Sequence, residues 1–124
     1  MAARLAALRA SREQREQLQN LAEMSFAAAT FGAEVDGDAT VHRMVFAMVR
    51  NRHLQNTLDH YFNLGLRMWY LALERITPVD RDEHVDHRPL AAAIKAGDGD
   101  LARTLLQEHI AHDSQIVRDI LNPA

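Results

Sequence analysis

The sequence predicts an all-α fold, an antiparallel bundle of about six helices built around one core. Long stretches repeat apolar residues at spacings of three and four, which is the helical period, and no segment alternates apolar and polar residues over five or more positions. Only five glycines and three prolines interrupt 124 residues, of which 48% are hydrophobic. This length and composition fit a single domain spanning 1–124.

Local capping signals mark the first boundaries. Ser11 followed by Gln14 forms a capping-box pattern in which each residue satisfies the other's backbone amide. Gly37, flanked by two aspartates, is expected to break the chain before the third helix. We predict helices over 2–10, 12–34, 38–50, 53–76, 82–96 and 99–121.

The later boundaries depend on proline and glycine. Thr77-Pro78 is expected to end the fourth helix, because proline disfavours a helical residue before it. Gly97 suits a left-handed position at a helix C-terminus, and Asp98 can cap the last helix.

Charge and composition exclude several classes of protein. With 14 Lys and Arg against 17 Asp and Glu, the net charge is -3, whereas a duplex-binding module is normally basic. The chain has no cysteine, which excludes disulfides and thiolate metal sites. No apolar stretch approaches the roughly 18–20 residues that span a bilayer. We expect a cytoplasmic protein with no membrane partner.

Polar side chains occupy helix faces that should be apolar. Asp38 and His42 lie four residues apart and extend the apolar stripe of the third helix. His87 belongs to the buried stripe of the fifth helix, and His109 lies on or near the inward face of the last. Three helices therefore direct ligand-type side chains toward one interior, as metal sites in helix bundles do.

Spacing alone leaves two interpretations open. Imidazole nitrogens and a carboxylate suit zinc first, with nickel, manganese or cobalt as alternatives, and four protein donors leave two positions of an octahedral ion open. A histidine on an apolar face is, however, more often a hydrogen-bonded core residue than a ligand. Residue spacing by itself therefore supports a metal site and a metal-free core equally well.

The order of these residues resembles the FCD domain, the C-terminal effector-binding domain of the FadR subgroup of GntR-family transcription regulators. The resemblance covers essentially the whole chain and is most specific over 38–110. It is carried by Asp38-Ala-Thr-Val-His42, Asn51-Arg-His-Leu54 and Asp86-His87-Arg-Pro-Leu-Ala-Ala-Ala-Ile-Lys-Ala-Gly97-Asp98, followed by Ala102 and His109.

The resemblance implies a metal held by Asp38, His42, His87 and His109, and a small organic acid that contacts it. It also implies a homodimer, consistent with a helix at 53–76 that has more large apolar residues than one core-facing stripe requires. DNA would be bound only by a winged helix-turn-helix domain that we expect to be absent here, with the first helix truncated.

Two positions depart from the family pattern. Val41 stands where the family usually has an aromatic residue. Pro89 is tolerated only in a first helical turn, so the fifth helix can begin as late as Asp86, or kink there, which would tilt His87.

The sequence favours a sensor that controls an attached DNA-binding domain, and not an enzyme. Arg43 and Arg67 are candidates to pair with the acid, since a guanidinium offers two parallel donors. A small metalloenzyme, with Asp113 as its visible base candidate, and a structural bundle without metal remain the alternatives.

Overall fold

The computed structural model describes residues 1–28, 30–75 and 86–122, and this part of the chain is an all-α bundle. Its helices, in chain order, are α1 (Ala2–Arg9), α2 (Arg12–Phe26), α3 (Phe31–Met48), α4 (Arg52–Leu73), α5 (Arg88–Lys95) and α6 (Gly99–Leu121). The described residues contain no strand, which confirms the predicted fold class. None of the described helices is both long enough and apolar enough to cross a lipid bilayer.

The predicted caps of α2 and α6 are confirmed. Ser11 Oγ accepts a hydrogen bond from the Gln14 amide at 3.1 Å, and Gln14 Oε1 accepts one from the Ser11 amide at 2.9 Å. Gly97 is left-handed, with φ of 74°, and Asp98 Oδ1 accepts from the amide of Leu101 at 3.1 Å. These bonds satisfy amides that lack partners inside the helix.

The boundary between α2 and α3 was predicted wrongly. α2 ends at Phe26 and α3 begins at Phe31, so Gly37 lies inside α3 and does not precede it. Thr30 is the true cap, because its hydroxyl accepts a hydrogen bond from the Ala33 amide at 3.1 Å. Inside a helix, glycine costs only about 0.5–1 kcal/mol of stability relative to alanine. At Gly37 the absence of a side chain allows α3 to pack closely against Ser25 of α2.

The start of the fifth helix was also predicted too early. Asp86 and His87 are not helical, and α5 begins at Arg88 with Pro89 in its first turn, where the missing amide proton costs nothing. The predicted segment 82–85 and the predicted stop at Thr77-Pro78 lie outside the described residues.

The core lies where α1, α2, α3, α5 and α6 meet. Alanines on the inner face of α1 let neighbouring helices approach closely, and larger side chains such as Leu18, Met48 and Ile94 fill the centre. Each is completely buried. Leucine- or methionine-sized side chains contribute roughly 1.5–3 kcal/mol each when fully buried.

Arg15 ties α2 to the ends of two other helices. Its guanidinium donates to the carbonyl oxygens of Ala7, at 2.7 Å, and of Ile94, and its Nε donates to the Ala10 carbonyl at 3.2 Å. Carbonyls at helix C-termini lack partners within the helix and carry a partial negative charge. One cation therefore satisfies the ends of α1 and α5 together.

Helix α4 packs chiefly on α3 and touches α6. One face of α4, with Leu58, Phe62 and Leu66, packs toward the core. The opposite face leaves large apolar side chains in solvent, where Leu64 is 44% and Leu71 is 53% exposed. α4 therefore has the surplus apolar surface that its sequence indicates.

Candidate metal centre

Four side chains from three parts of the chain meet at one buried point. Asp38 and His42 come from consecutive turns of α3, His87 from the residue just before α5, and His109 from the middle of α6. One donor atom of each lies within 4.8 Å of all the others. The three histidines are 3%, 4% and 8% exposed. The structure thus brings together all four residues that the sequence singled out as ligands.

The distances between these donor atoms are short. Asp38 Oδ1 lies 2.7 Å from Nε2 of His87, 2.8 Å from Nε2 of His109 and 3.3 Å from Nε2 of His42. Nε2 of His109 lies 3.0 Å from Nε2 of His42 and 3.2 Å from that of His87. Two donor atoms that each lie about 2.1 Å from a metal ion are about 3.0 Å from each other in octahedral coordination and about 3.4 Å from each other in tetrahedral coordination. The residues therefore fit a divalent metal.

Asp38 carries the negative charge of the cluster. Burial by itself raises the pKa of Asp38, but the charge of His42 and hydrogen bonds from the three imidazoles act in the opposite direction. Together they hold the pKa of Asp38 well below its ordinary value. A carboxylate that stays ionised is the form that binds a cation.

The crowding of ring nitrogens at the cluster favours the metal interpretation over a satisfied hydrogen-bonded core. Nδ1 of His42 and Nδ1 of His109 are buried, and neither has a hydrogen-bond partner in the part of the chain that the structure describes. The His42 ring is held instead by stacking on Phe62, at 4.9 Å between ring centroids and 20° between planes. Nε2 of His109 carries at most one hydrogen, yet it lies within 3.2 Å of Asp38 Oδ1 and of Nε2 of both His42 and His87. A shared cation would satisfy these atoms together, whereas a single hydrogen bond cannot.

His87 is positioned by a close contact between α2 and α3. Ser25, which is 2% exposed, places its Oγ 3.5 Å from Nδ1 of His87. A Cβ at Gly37 would come within 3.0 Å of this Oγ and 3.3 Å of the Ser25 Cα. Glycine at 37 therefore lets Ser25 fit between α3 and the imidazole. Neither role is visible in the sequence, where Gly37 indicates a helix break and a serine at position 25 has no signature of burial.

A second carboxylate borders the cluster. Asp113 lies one turn after His109, with its Oδ2 3.2 Å from His109 Nε2. Burial, opposed by the charge of His109 and reinforced by that of Asp38, raises the pKa of Asp113 to about 6. Asp113 is thus placed beside the four donors and at the edge of a cavity.

The order of these residues and their convergence agree with a comparison against known families, in which residues 1–112 match the FCD domain. The chain belongs to the FCD domain family. FCD domains are regulatory effector-binding domains, and the suspected resemblance is confirmed. Searches of curated proteins and of solved structures return no significant match.

A cavity of about 630 Å³ opens beside the cluster in this FCD domain, and Asp38, His42 and Asp113 lie in its wall. Arg43 and Arg67, expected to pair with an acid, are both exposed and are not among its lining residues. Arg43 donates instead to Asn63 Oδ1 at 3.0 Å. The arginines in the lining are Arg103 and Arg118, on α6, which no local pattern marked.

Proposed function

We propose that this chain is the ligand-sensing domain of a GntR-type transcription regulator, and that it binds a divalent metal ion and a small organic acid. Membership of the FCD family supports the regulatory class. The observation that carries the proposal is the buried convergence of Asp38, His42, His87 and His109.

The donor set favours zinc, with nickel, manganese or cobalt as alternatives. Three imidazoles and one carboxylate, without a thiolate, are borderline ligands that suit all four ions. When bound, the ion acts as a Lewis acid with positions open to oxygens of an acid. The fold holds the four donor side chains in place and buries the three histidines away from water.

The acid is proposed to enter the cavity beside Asp38 and His42 and to place its carboxylate at the metal. Sensing then requires that the acid bind one arrangement of the regulator more tightly than another, because equal affinity shifts no equilibrium. Arg43 and Arg67 have no part in this proposal, since the cavity lining does not include them.

The metal assignment is tested by His42→Ala/His109→Ala, with His53→Ala/His60→Ala as the control because both of those histidines are exposed. We expect elemental analysis of untagged protein to find about one ion in the wild type and the control and none in the site variant. Metal at 100 times its Kd should add about 2.7 kcal/mol to the stability of the wild type and the control only. Stoichiometric metal in the site variant would refute the ligand assignment.

We further propose a homodimer that uses α4. Leu64 and Leu71 lie seven residues apart on one helix face and remain largely exposed. Sedimentation should show that Leu64→Arg/Leu71→Arg shifts the protein toward monomer. Leu8→Arg, at a leucine that is 63% exposed on α1, should leave the assembly unchanged. Equal effects of the two changes would count against α4.

DNA binding is proposed to belong to a separate winged-helix domain of the regulator. The net charge of -3 gives this chain little with which to neutralise phosphates. A gel-shift assay at low salt, where electrostatic contacts are strongest, should detect no binding of duplex DNA by this chain. Binding that persists at moderate salt would overturn the assignment.

The alternative of a metalloenzyme has one observation in its favour, the position of Asp113 beside His109. A carboxylate next to a metal can act as a base toward bound water. Incubation of metal-loaded protein with hydroxy acids, followed by product analysis, separates the two functions. A sensor returns the acid unchanged, whereas turnover that is lost in Asp113→Asn would establish an enzyme.

A further inference from the structure

The cavity beside the candidate metal centre indicates which class of acid it accepts. We infer that the effector is a carboxylic acid with an apolar body, aromatic or alkyl, of five or more carbons beyond the carboxyl group. This inference rests on the proposed function and deepens it. At about 630 Å³ the cavity is within the range of sites that bury drug-sized ligands, so a two- or three-carbon acid would leave most of it unfilled.

The wall that α4 contributes is mostly hydrocarbon and aromatic. Helix α4 contributes Leu58, Tyr61, Phe62, Leu66, Met68 and Trp69 to the lining. A sugar-acid hydroxyl placed against Leu58, Phe62 or Leu66 would lose its water, and these hydrocarbon side chains offer no hydrogen bond in return. An apolar body loses nothing there and gains from its own burial.

Apart from the Tyr61 hydroxyl and the Trp69 ring nitrogen on α4, the polar side chains of the lining lie in two parts of the cavity. One is the cluster with Asp38, which receives the carboxylate end of the ligand. The other is α6, which contributes Arg103, Gln107, Ser114 and Arg118. These side chains are all exposed and therefore solvated. The division between a polar end and an apolar wall matches an amphipathic acid.

Gly65 keeps the apolar part of the cavity open. It is three residues from Phe62 and four from Trp69, so it shares their helix face, and it belongs to the lining. A Cβ at this position would meet no atom within 4 Å. Glycine is unfavourable inside a helix, and here no neighbouring atom requires it. The space that a side chain would fill is instead part of the ligand cavity.

The inference is tested with acids that share one metal-binding head. 2-Hydroxyhexanoate and gluconate have the same six-carbon skeleton and the same α-hydroxy carboxylate, and they differ in four hydroxyls on the tail. Calorimetry on metal-loaded protein should show 2-hydroxyhexanoate binding at least tenfold more tightly. Along the series lactate, 2-hydroxyhexanoate and 2-hydroxyoctanoate, affinity should rise about two- to fourfold for each methylene.

Gly65→Leu places a side chain in the apolar part of the cavity. It should weaken 2-hydroxyoctanoate at least tenfold and change lactate binding less than twofold, with metal content unaltered. Gly32→Leu is the control, because Gly32 is exposed, has equally open surroundings and does not line the cavity. It should leave both affinities unchanged.

The outcomes separate this inference from the proposed function. Metal-dependent binding in which gluconate equals or exceeds 2-hydroxyhexanoate would overturn the apolar-body inference and leave the sensor intact. Binding of the long acids that survives complete metal removal would uphold the inference and refute coordination by the metal. Failure of every acid to bind, with or without metal, would overturn both.

Discussion

Replacing Gly37 with alanine tests how tightly the packing of α2 against α3 controls the metal centre. The new methyl carbon would lie 3.0 Å from Oγ, 3.2 Å from Cβ and 3.3 Å from Cα of Ser25. The hydroxyl can rotate away, but the Cα belongs to the backbone of α2. Because Ser25 is 2% exposed, it has no open space into which to move. The two helices must therefore separate by a few tenths of an ångström.

The expected net effect on stability combines two opposing contributions. Overpacking of a tight contact costs about 1–3 kcal/mol. Alanine in place of glycine inside a helix recovers about 0.5–1 kcal/mol. We expect Gly37→Ala to lose about 1 kcal/mol in free energy of unfolding, within a range of about 0–2.5 kcal/mol. In a domain of this size each kcal/mol lowers Tm by about 4 °C.

The same change should weaken metal binding. Gly37 adjoins Asp38 in α3, and the displaced Ser25 lies 3.5 Å from Nδ1 of His87. Movement of α3 away from α2 therefore shifts two donors relative to each other. Altered outer contacts of metal ligands typically cost 10- to 100-fold in affinity. We expect the Kd for zinc to rise about tenfold.

Urea unfolding without metal and zinc titration against a competing chelator measure the two effects separately. Gly32→Ala is the matched control, since Gly32 lies in the same helix and its Cβ would meet nothing within 4 Å. It should be neutral or up to about 1 kcal/mol more stable. The reasoning is refuted if Gly37→Ala unfolds at the same urea concentration as Gly32→Ala and binds zinc as tightly as the wild type.

The remaining predictions concern the helix ends. Arg15→Met should cost about 2–3 kcal/mol in urea unfolding, because carbonyls at the ends of α1 and α5 lose a charged donor. Arg12→Met, in the same helix, should cost less than about 0.5 kcal/mol, since the pair that Arg12 forms with Glu16 is exposed. Equal losses would contradict the role given to Arg15. Thr30→Ala should cost about 1 kcal/mol by removing the cap of α3, and circular dichroism with unfolding measures it. An unchanged midpoint would show that the cap is dispensable.

The sequence determined those features whose hydrogen bonds join near neighbours. The capping box of Ser11 and Gln14, the left-handed Gly97 and the cap at Asp98 each involve atoms no more than five residues apart. The i,i+4 spacing of Asp38 and His42 likewise places both on one face whenever that segment is helical. Such features depend on the local chain and can be predicted from it.

Where local signals conflicted, the outcome depended on packing. Gly37 is expected to break a helix, but it lies inside α3 because its missing side chain makes room for Ser25. The true boundary has a weaker local signal, a threonine after several alanines with high helix propensity. The contact that favours glycine at 37 joins two helices, so no property of α3 alone could reveal it.

The tertiary structure alone decided the geometry of the site. The histidine order predicted four ligands, but the 2.8 Å contact between Asp38 and His109 joins residues 71 positions apart. It follows from how α6 packs against the bundle. The same packing leaves Arg43 and Arg67 off the cavity and puts Arg103 and Arg118 in its lining. The choice of candidate ligands thus follows from residue type and order, whereas distance, burial and the shape of the cavity depend on how helices far apart in sequence pack together.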